Sequence, residues 1–374
     1  MAALVALPLC LVRRRRPLRR RRLLRLPFLR RRLRLRRLCS SFGALQRPCG
    51  YRRGVSARVR VTLVVAALAA LAAALVAGAT VLSAEEVPRP DDVTGPAQPR
   101  PGRPTLVLDL GVRADAEARD LRRAAVLYEG GRDREAGRLF ARHDSLEAKL
   151  GSAFVAWPES LSRIEQVGAL YPRSALAQLH LGLARYWAGE GGAITAWREA
   201  RDVEPDTPYA VFANDLLHPE FAPGIPILVS AAAFPPGLEE RSPAEQLAEL
   251  RKRAAAGSLD AQLLYGTALQ RLGRTISARR VFDLAARMYP DEAEALVAAA
   301  IGRYAKERPV EAFSRLGPLT RRFRQAATVR FHLGLLLLWQ RDVKAARRQL
   351  RLAVAAEPGS RLAEEAQRYL EALG

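Results

Sequence analysis

The stretch that decides the fold is residues 259–292, LDAQLLYGTALQRLGRTISARRVFDLAARMYPDE, because residues 327–360, ATVRFHLGLLLLWQRDVKAARRQLRLAVAAEPGS, repeat its pattern. At a spacing of 68 residues, small residues match small ones and large apolar residues match large ones. The matched pairs are Tyr265/Leu333, Gly266/Gly334, Leu269/Leu337, Ala278/Ala346, Phe282/Leu350, Ala285/Ala353 and Pro290/Pro358. Half of that spacing is 34 residues, and residues 293–326 hold a weaker copy. A period of this length predicts stacked helical hairpins.

The chemistry of the repeated positions explains such a shape. Each hairpin is too small to bury its own apolar face, so neighbouring hairpins must cover one another. Gly266 and Ala278 are expected where the two helices of a hairpin cross closely, and Phe282 is expected to fill the space between helices. Pro290 and Pro358 are expected to end the second helix of their hairpins, because proline has no N–H to donate.

This pattern resembles the tetratricopeptide repeat (TPR) over about residues 115–360. The predicted fold class is therefore all-α: a TPR-like helical-hairpin solenoid, with an N-terminal transmembrane helix and a Pro-rich extended insertion. The predicted organisation is an Arg-rich disordered tail (1–60), a transmembrane helix (61–82), a Pro-rich linker (83–114), TPR-like hairpins (115–205), the insertion (206–241), TPR repeats (242–360) and a capping helix (361–374).

The positive charge of the chain is concentrated in the tail. Residues 1–60 contain 20 arginines and no acidic residue, whereas the whole chain carries a formal charge of +23. The remainder is close to neutral, so no specific nucleic-acid-binding domain is expected. Three interpretations of the tail stay open: a disordered cationic segment beside a membrane, translated sequence upstream of a true start near Val55, or an organellar presequence.

Residues 61–82, VTLVVAALAALAAALVAGATVL, contain no charged residue. A helix of this length would span roughly 33 Å, close to the thickness of a bilayer core. Arginines precede the run and acidic residues follow it, which predicts a cytoplasmic N-terminus and repeats outside the cytoplasm. The expected location is a bacterial cell membrane, single-pass, with the mitochondrial inner membrane as the alternative. A cleaved signal peptide is the rival interpretation of this run.

The insertion contains six prolines, which predicts an extended segment, and its apolar stretch Ile225–Phe234 predicts packing against the helices. A helix is expected to restart at Ser242-Pro243-Ala244-Glu245, with Ser242 as N-cap and Glu245 completing a capping box. One hypothesis places residues 221–238 in or beside the concave face, as an internal occupant or as a brace between two repeat halves. The preferred interpretation is that they cover the gap where the stack is interrupted.

The resemblance implies that a partner protein or peptide binds in a groove lined by the first helix of each hairpin. Carried over by position, the groove residues are Leu179, Leu183, Tyr186, Trp187, Leu263, Thr267, Gln270, Arg271, Val297, Ile301, Tyr304, Phe331, Leu335, Leu338 and Trp339. The Lys and Asn that members binding chaperone tails carry at such positions are missing here.

No motif for catalysis stands out. The P-loop, nucleophile-elbow and H-E-x-x-H patterns are missing from the sequence. Asp215, His218 and Glu220 form a D-x-x-H-x-E cluster that could hold a divalent metal, although a polar helix end is the preferred interpretation. The chain is therefore predicted not to be an enzyme, with no cofactor and no metal. The predicted function is a membrane-anchored interaction scaffold; the alternative is that the Arg-rich tail binds anionic lipid or nucleic acid.

Overall fold

The computed structural model describes residues 98–374, which contain fifteen helices and no strand. The prediction of an all-α fold is confirmed for this part of the chain. The predicted tail, the apolar run 61–82 and the first part of the linker lie outside the described residues. Among helices within 98–374, none combines the length and the apolar character that crossing a membrane would require.

Three hairpins and a final helix make up the first half of the described chain, residues 98–217. The helices are α1 (Ala116–Glu129), α2 (Asp133–Phe140), α3 (Leu146–Val155), α4 (Leu161–Leu170), α5 (Ala175–Ala188), α6 (Ala193–Val203) and α7 (Pro208–Leu217).

The second half, residues 218–374, repeats this plan with one additional helix before the first hairpin. Its helices are α8 (Pro243–Ala255), α9 (Leu259–Arg271), α10 (Thr275–Met288), α11 (Ala293–Ile301), α12 (Val310–Arg322), α13 (Ala327–Trp339), α14 (Val343–Ala356) and α15 (Arg361–Ala372). The predicted capping helix corresponds to α15. The predicted capping box at the start of α8 is confirmed: Ser242 accepts from the Glu245 N–H, and the Glu245 carboxylate accepts from the Ser242 N–H.

The hairpins stack with their first helices in one row. Consecutive first helices contact each other, α1 to α3 to α5 to α7 and α9 to α11 to α13 to α15. Among the described helices, consecutive second helices do not contact each other. Helices that touch on one side and separate on the other form a curved stack. We call the row of first helices in each half its inner row, and the row of second helices its outer row.

Two sequence-based boundaries are wrong. The insertion was expected to be extended over 206–241, but residues 208–217 form α7. Thr207 caps this helix by accepting from the Ala210 N–H, and Pro208 occupies its first position, where a missing N–H costs nothing. The linker was expected over 83–114, but residues 104–110 pack against helices, and Leu106 and Leu110 are buried.

Candidate binding surface on the inner rows

Two extended segments lie on the inner rows, one in each half. Segment A is residues 101–110, PGRPTLVLDL, and segment B is residues 223–232, PGIPILVSAA. Both begin Pro-Gly-x-Pro-x-Leu-Val. Gly102 and Gly224 both have positive φ, of 97° and 72°, a conformation that glycine adopts without strain. The two halves therefore share a leading segment as well as a helix order.

In the first half, side chains of three helices bind the main chain of segment A. The Val107 N–H donates to His180 Nε2 at 3.1 Å, and the Pro104 carbonyl accepts from the Tyr128 hydroxyl at 2.7 Å. The Tyr209 hydroxyl bonds both main-chain groups of Asp109, at 3.3 and 3.0 Å. Helices α1, α5 and α7 thus hold the segment along its length.

The second half repeats these contacts at equivalent positions. The Val229 N–H donates to His332 Nε2 at 3.0 Å, and Gln270 Nε2 donates to the Pro226 carbonyl at 3.3 Å. Gln270 also accepts from the Leu228 N–H at 2.9 Å. Near the end of the segment, Arg361 of α15 donates to the Ala232 carbonyl at 2.9 Å. Gln270, His332 and Arg361 lie on the counterparts of the helices that carry Tyr128, His180 and Tyr209.

The two histidines are fixed as neutral hydrogen-bond acceptors. His180 Nδ1 lies 2.7 Å from the Leu176 carbonyl, and His332 Nδ1 lies 2.7 Å from the Thr328 carbonyl. Nδ1 must therefore carry the proton, which leaves Nε2 free to accept a main-chain N–H. Complete burial lowers the pKa of each histidine to about 4. Each imidazole is accordingly uncharged at neutral pH and held in one orientation.

Apolar side chains hold the other side of each segment. Leu106 and Leu110 join the buried cluster of the first half, and Leu228, which is 1% exposed, joins a cluster of the second half with Leu263 and Val297. Each segment is therefore recognised by main-chain hydrogen bonds and by buried leucine. This combination is how a groove binds an extended peptide.

Most of the predicted groove residues are covered in this arrangement. Nine of the fifteen are buried: Leu179, Leu183, Leu263, Gln270, Val297, Ile301, Tyr304, Phe331 and Leu335. Thr267, Trp187, Leu338 and Trp339 are half-buried, while Tyr186 and Arg271 are exposed. Their role in partner binding stays a prediction.

Several of these residues contact the chain's own extended segments. Thr267 Oγ1 lies 3.4 Å from the Leu228 carbonyl, and the Arg100 guanidinium stacks 3.9 Å from the centre of the Tyr186 ring. The Trp187 carbonyl accepts from the Arg100 N–H at 2.8 Å. A partner at Thr267, Tyr186 or Trp187 would have to displace these contacts with the extended chain.

A second repeated motif in the sequence, separate from the 34-residue helical repeat, indicates these contacts. His180 and His332 each precede the glycine of a first helix by two residues, a position that by itself indicates packing in the core or in the groove. The repeated Pro-Gly-x-Pro-x-Leu-Val, 122 residues apart, identifies the segment that each histidine binds. Segment A was predicted to be part of the linker, because residues 83–114 are rich in proline.

The side chains of the D-x-x-H-x-E cluster bond to other groups of the protein. Asp215 accepts from buried Lys306 at 2.6 Å and from the Gly224 N–H at 2.9 Å. His218 Nδ1 lies 3.2 Å from Glu220. Within residues 98–374, no three His, Cys, Asp or Glu side chains are grouped so that they could hold a metal ion.

The fold places the chain in the class of TPR-like stacks of helical hairpins. No protein-family model matches the chain. No curated protein matches it either. Among solved structures, a tetratricopeptide repeat protein from Parabacteroides merdae is similar over 69% of this chain and 98% of its own, with 11% identity and a TM-score of 0.29. Yeast Tom70 is similar over 69% of this chain and 53% of its own, with 12% identity and a TM-score of 0.27. Both likenesses are too distant to assign the chain to a family.

Proposed function

We propose that this protein is a membrane-anchored interaction scaffold that binds an extended segment of a partner protein on an inner row. The observation that carries the proposal is the way segments A and B are held. In both halves, side chains of the first helices recognise an extended main chain and a buried leucine. A surface that binds its own chain in this way has the chemistry to bind a similar segment from another protein.

The expected ligand is a peptide of the Pro-x-Leu-Val type. The proline carbonyl would accept from the position of Tyr128 or Gln270, the valine N–H would donate to His180 or His332, and the leucine would enter the apolar cluster. Because segment A or B already makes these contacts, a partner peptide competes with a segment of this chain.

A complementation experiment tests the peptide site. In the full chain, Leu228→Ala weakens the hold on segment B, and a synthetic peptide of residues 221–234 is added. If the inner row binds such peptides, the labelled peptide binds the variant more tightly than the unmodified chain and raises its Tm. A peptide with Leu228 and Val229 replaced by serine is the control.

The same experiment separates an occupant from a brace. A segment that only braces the stack predicts a lower Tm for Leu228→Ala and no binding of either peptide. That outcome would overturn peptide binding at this site while leaving the fold unaffected.

Membrane anchoring is the second component of the proposal and rests on the uncharged run 61–82. It predicts that the full chain stays with the membrane in alkaline carbonate, and that added protease digests the repeats from the outer side only. A chain released by carbonate would contradict the anchor. Replacing Leu71 and Leu75 by aspartate should release the chain, whereas serine at the same positions should not.

A further inference from the structure

The outer row of the second half differs in charge from the outer row of the first. Helices α10, α12 and α14 contain ten basic and two acidic residues. Their counterparts α2, α4 and α6 contain five basic and five acidic residues. Because both rows occupy the same place in the same architecture, folding alone does not account for the excess of positive charge in one of them.

The two acidic residues of the basic row are already paired. Asp283 contacts Arg303 at 2.6 Å, and Glu311 contacts Arg308 at 3.1 Å. Both arginines come from the connection between α11 and α12 and do not belong to the row itself. The basic side chains of α14 have no acidic residue on their own helix. Arg322 of α12 also pairs with Asp291, at 2.6 Å. The other basic side chains of the row make no ion pair with an acidic residue of the described chain, so the row keeps a net positive charge at its surface.

Aliphatic side chains are exposed among these basic residues. Of the large apolar residues that are exposed in the described chain, five lie on this row: Leu284, Met288, Val310, Val343 and Leu352. Arg280 and Leu284 on α10 correspond to Arg348 and Leu352 on α14 at the spacing of 68 residues. Residues four apart lie on the same face of a helix, so each pair presents a guanidinium beside an apolar side chain.

We infer that the outer row of the second half lies against an anionic lipid surface. Arginine binds phosphate groups through paired N–H donors, and neighbouring aliphatic side chains enter the boundary between headgroups and acyl chains. Basic residues near an anionic bilayer are attracted to its negative surface potential. This surface is separate from the inner rows, so the inference does not depend on peptide binding.

Nucleic acid is the other polyanion that such a charge could attract. Proteins that bind single strands place aromatic side chains where bases can stack. On α10, α12 and α14 the aromatic residues are Phe282, which is buried, and Phe313, which is half-buried. The exposed apolar residues are aliphatic instead, which favours lipid.

A fluorescent label at one position tests the contact. In the full chain, the native cysteines Cys10, Cys39 and Cys49 are replaced by serine, and Leu352→Cys carries an environment-sensitive dye. The chain is reconstituted into vesicles of phosphatidylcholine alone or of phosphatidylcholine mixed with phosphatidylglycerol. A label at Glu199→Cys is the matched control, because Glu199 of α6 occupies the repeat position of Leu352.

The expected result is a blue shift and an intensity increase of about twofold at position 352 with the anionic lipid and not with the neutral one. The label at 199 should respond equally to both lipids. Arg280→Glu combined with Arg348→Glu should abolish the difference at 352, and Arg280→Lys with Arg348→Lys should retain most of it. Circular dichroism checks that each variant is folded.

Three results would overturn the inference. One is an equal response of the 352 label to both lipids, and another is a response to the anionic lipid that is the same at 199 and 352. The third is a larger response of the 352 label to single-stranded or duplex DNA without vesicles, which would assign the surface to nucleic acid. If residues 61–82 do not anchor the chain, less of the chain binds to neutral vesicles, but the labels at 199 and 352 are affected equally. Failure of the anchor is therefore distinguishable from failure of this inference.

Discussion

At the residue scale, Gly266 is the glycine of the described chain on which a neighbouring side chain packs most tightly. A Cβ added to this glycine would lie 2.2 Å from Cε1 of Phe282, a separation that real side chains do not adopt. Gly334 occupies the same repeat position, but an added Cβ there would lie 3.0 Å from Leu350, an aliphatic side chain that can adjust. Glycine is therefore required more strictly at Gly266 than at the equivalent position Gly334.

We expect Gly266→Ala to lower the free energy of unfolding by about 1–3 kcal/mol, since the Phe282 ring must move. Gly334→Ala should change it by less than about 1 kcal/mol, because helix propensity gained by alanine offsets a smaller clash. Urea unfolding followed by circular dichroism measures both. Equal effects at the two positions would contradict the close packing of Phe282 on Gly266.

The buried histidines make stability depend on pH in a defined interval. Burial lowers the pKa of His180 and His332 to about 4, whereas an unfolded histidine titrates near 6.5. Between these values the unfolded chain binds more protons, so stability is fully present above about pH 6.5 and falls as the pH decreases toward 4. The loss should be on the order of 3 kcal/mol for each histidine.

Chemical denaturation at a series of pH values checks this expectation. The double variant His180→Gln/His332→Gln should show a flatter dependence between pH 6.5 and 4, because the two groups that take up protons are gone. A slope identical to that of the unmodified chain would show that these imidazoles do not control the acid response.

At the scale of elements, an extended segment links helices that do not contact one another. Segment B joins α9, α13 and α15 through hydrogen bonds, although α9 and α15 do not contact each other directly. Its Leu228 lies in the same buried cluster as residues from several hairpins. The segment therefore couples hairpins that are not neighbours in the row.

We expect Leu228→Ala to lower the free energy of unfolding by about 2–5 kcal/mol, the usual cost of truncating a buried leucine. Phe234→Ala, two residues beyond segment B, should have little effect because Phe234 is exposed. Leu106→Ala in segment A should behave like Leu228→Ala. A near-zero effect at both leucines would mean that the segments are held by their hydrogen bonds alone.

At the scale of the whole molecule, residues in and just before α7 connect the two halves: Pro208 packs against Gly273, and Asp215 pairs with Lys306. Among the described helices, no helix of the first half contacts a helix of the second. Asp206, from the connection before α7, accepts from the Ile276 and Ser277 N–H groups at 2.8 and 3.0 Å. The N-cap residue of α10, Arg274, makes no side-chain cap. Asp206 therefore supplies from the first half the cap that α10 lacks.

Removing the Asp206 cap should weaken the coupling between the two halves. We expect Asp206→Ala to lower the free energy of unfolding by about 1–2 kcal/mol, as the loss of an N-cap does. It should also broaden the transition in calorimetry, or divide it in two, because the halves then unfold more independently. Asp202→Ala, at an exposed position nearby, is the control. A single sharp transition at an unchanged temperature would show that Asp206 does not couple the halves.

The sequence by itself determined the helical hairpins. The pairs Gly266/Gly334, Ala278/Ala346 and Phe282/Leu350 predicted which helices cross closely, because small residues are required wherever two backbones approach. The capping box at Ser242 fixed a helix start, since its two hydrogen bonds involve only residues three apart. These features are local, and a local pattern can be recognised without knowing what lies across from it.

Only the tertiary structure decided what covers the inner rows. His332 and Val229 are 103 residues apart, and the hydrogen bond between them depends on how the hairpins stack. The same holds for Asp206, which caps a helix that begins 69 residues later in the chain. The period of the helices contained no information on these pairings, because an N–H in an extended segment can donate to any acceptor that folding brings within 3 Å.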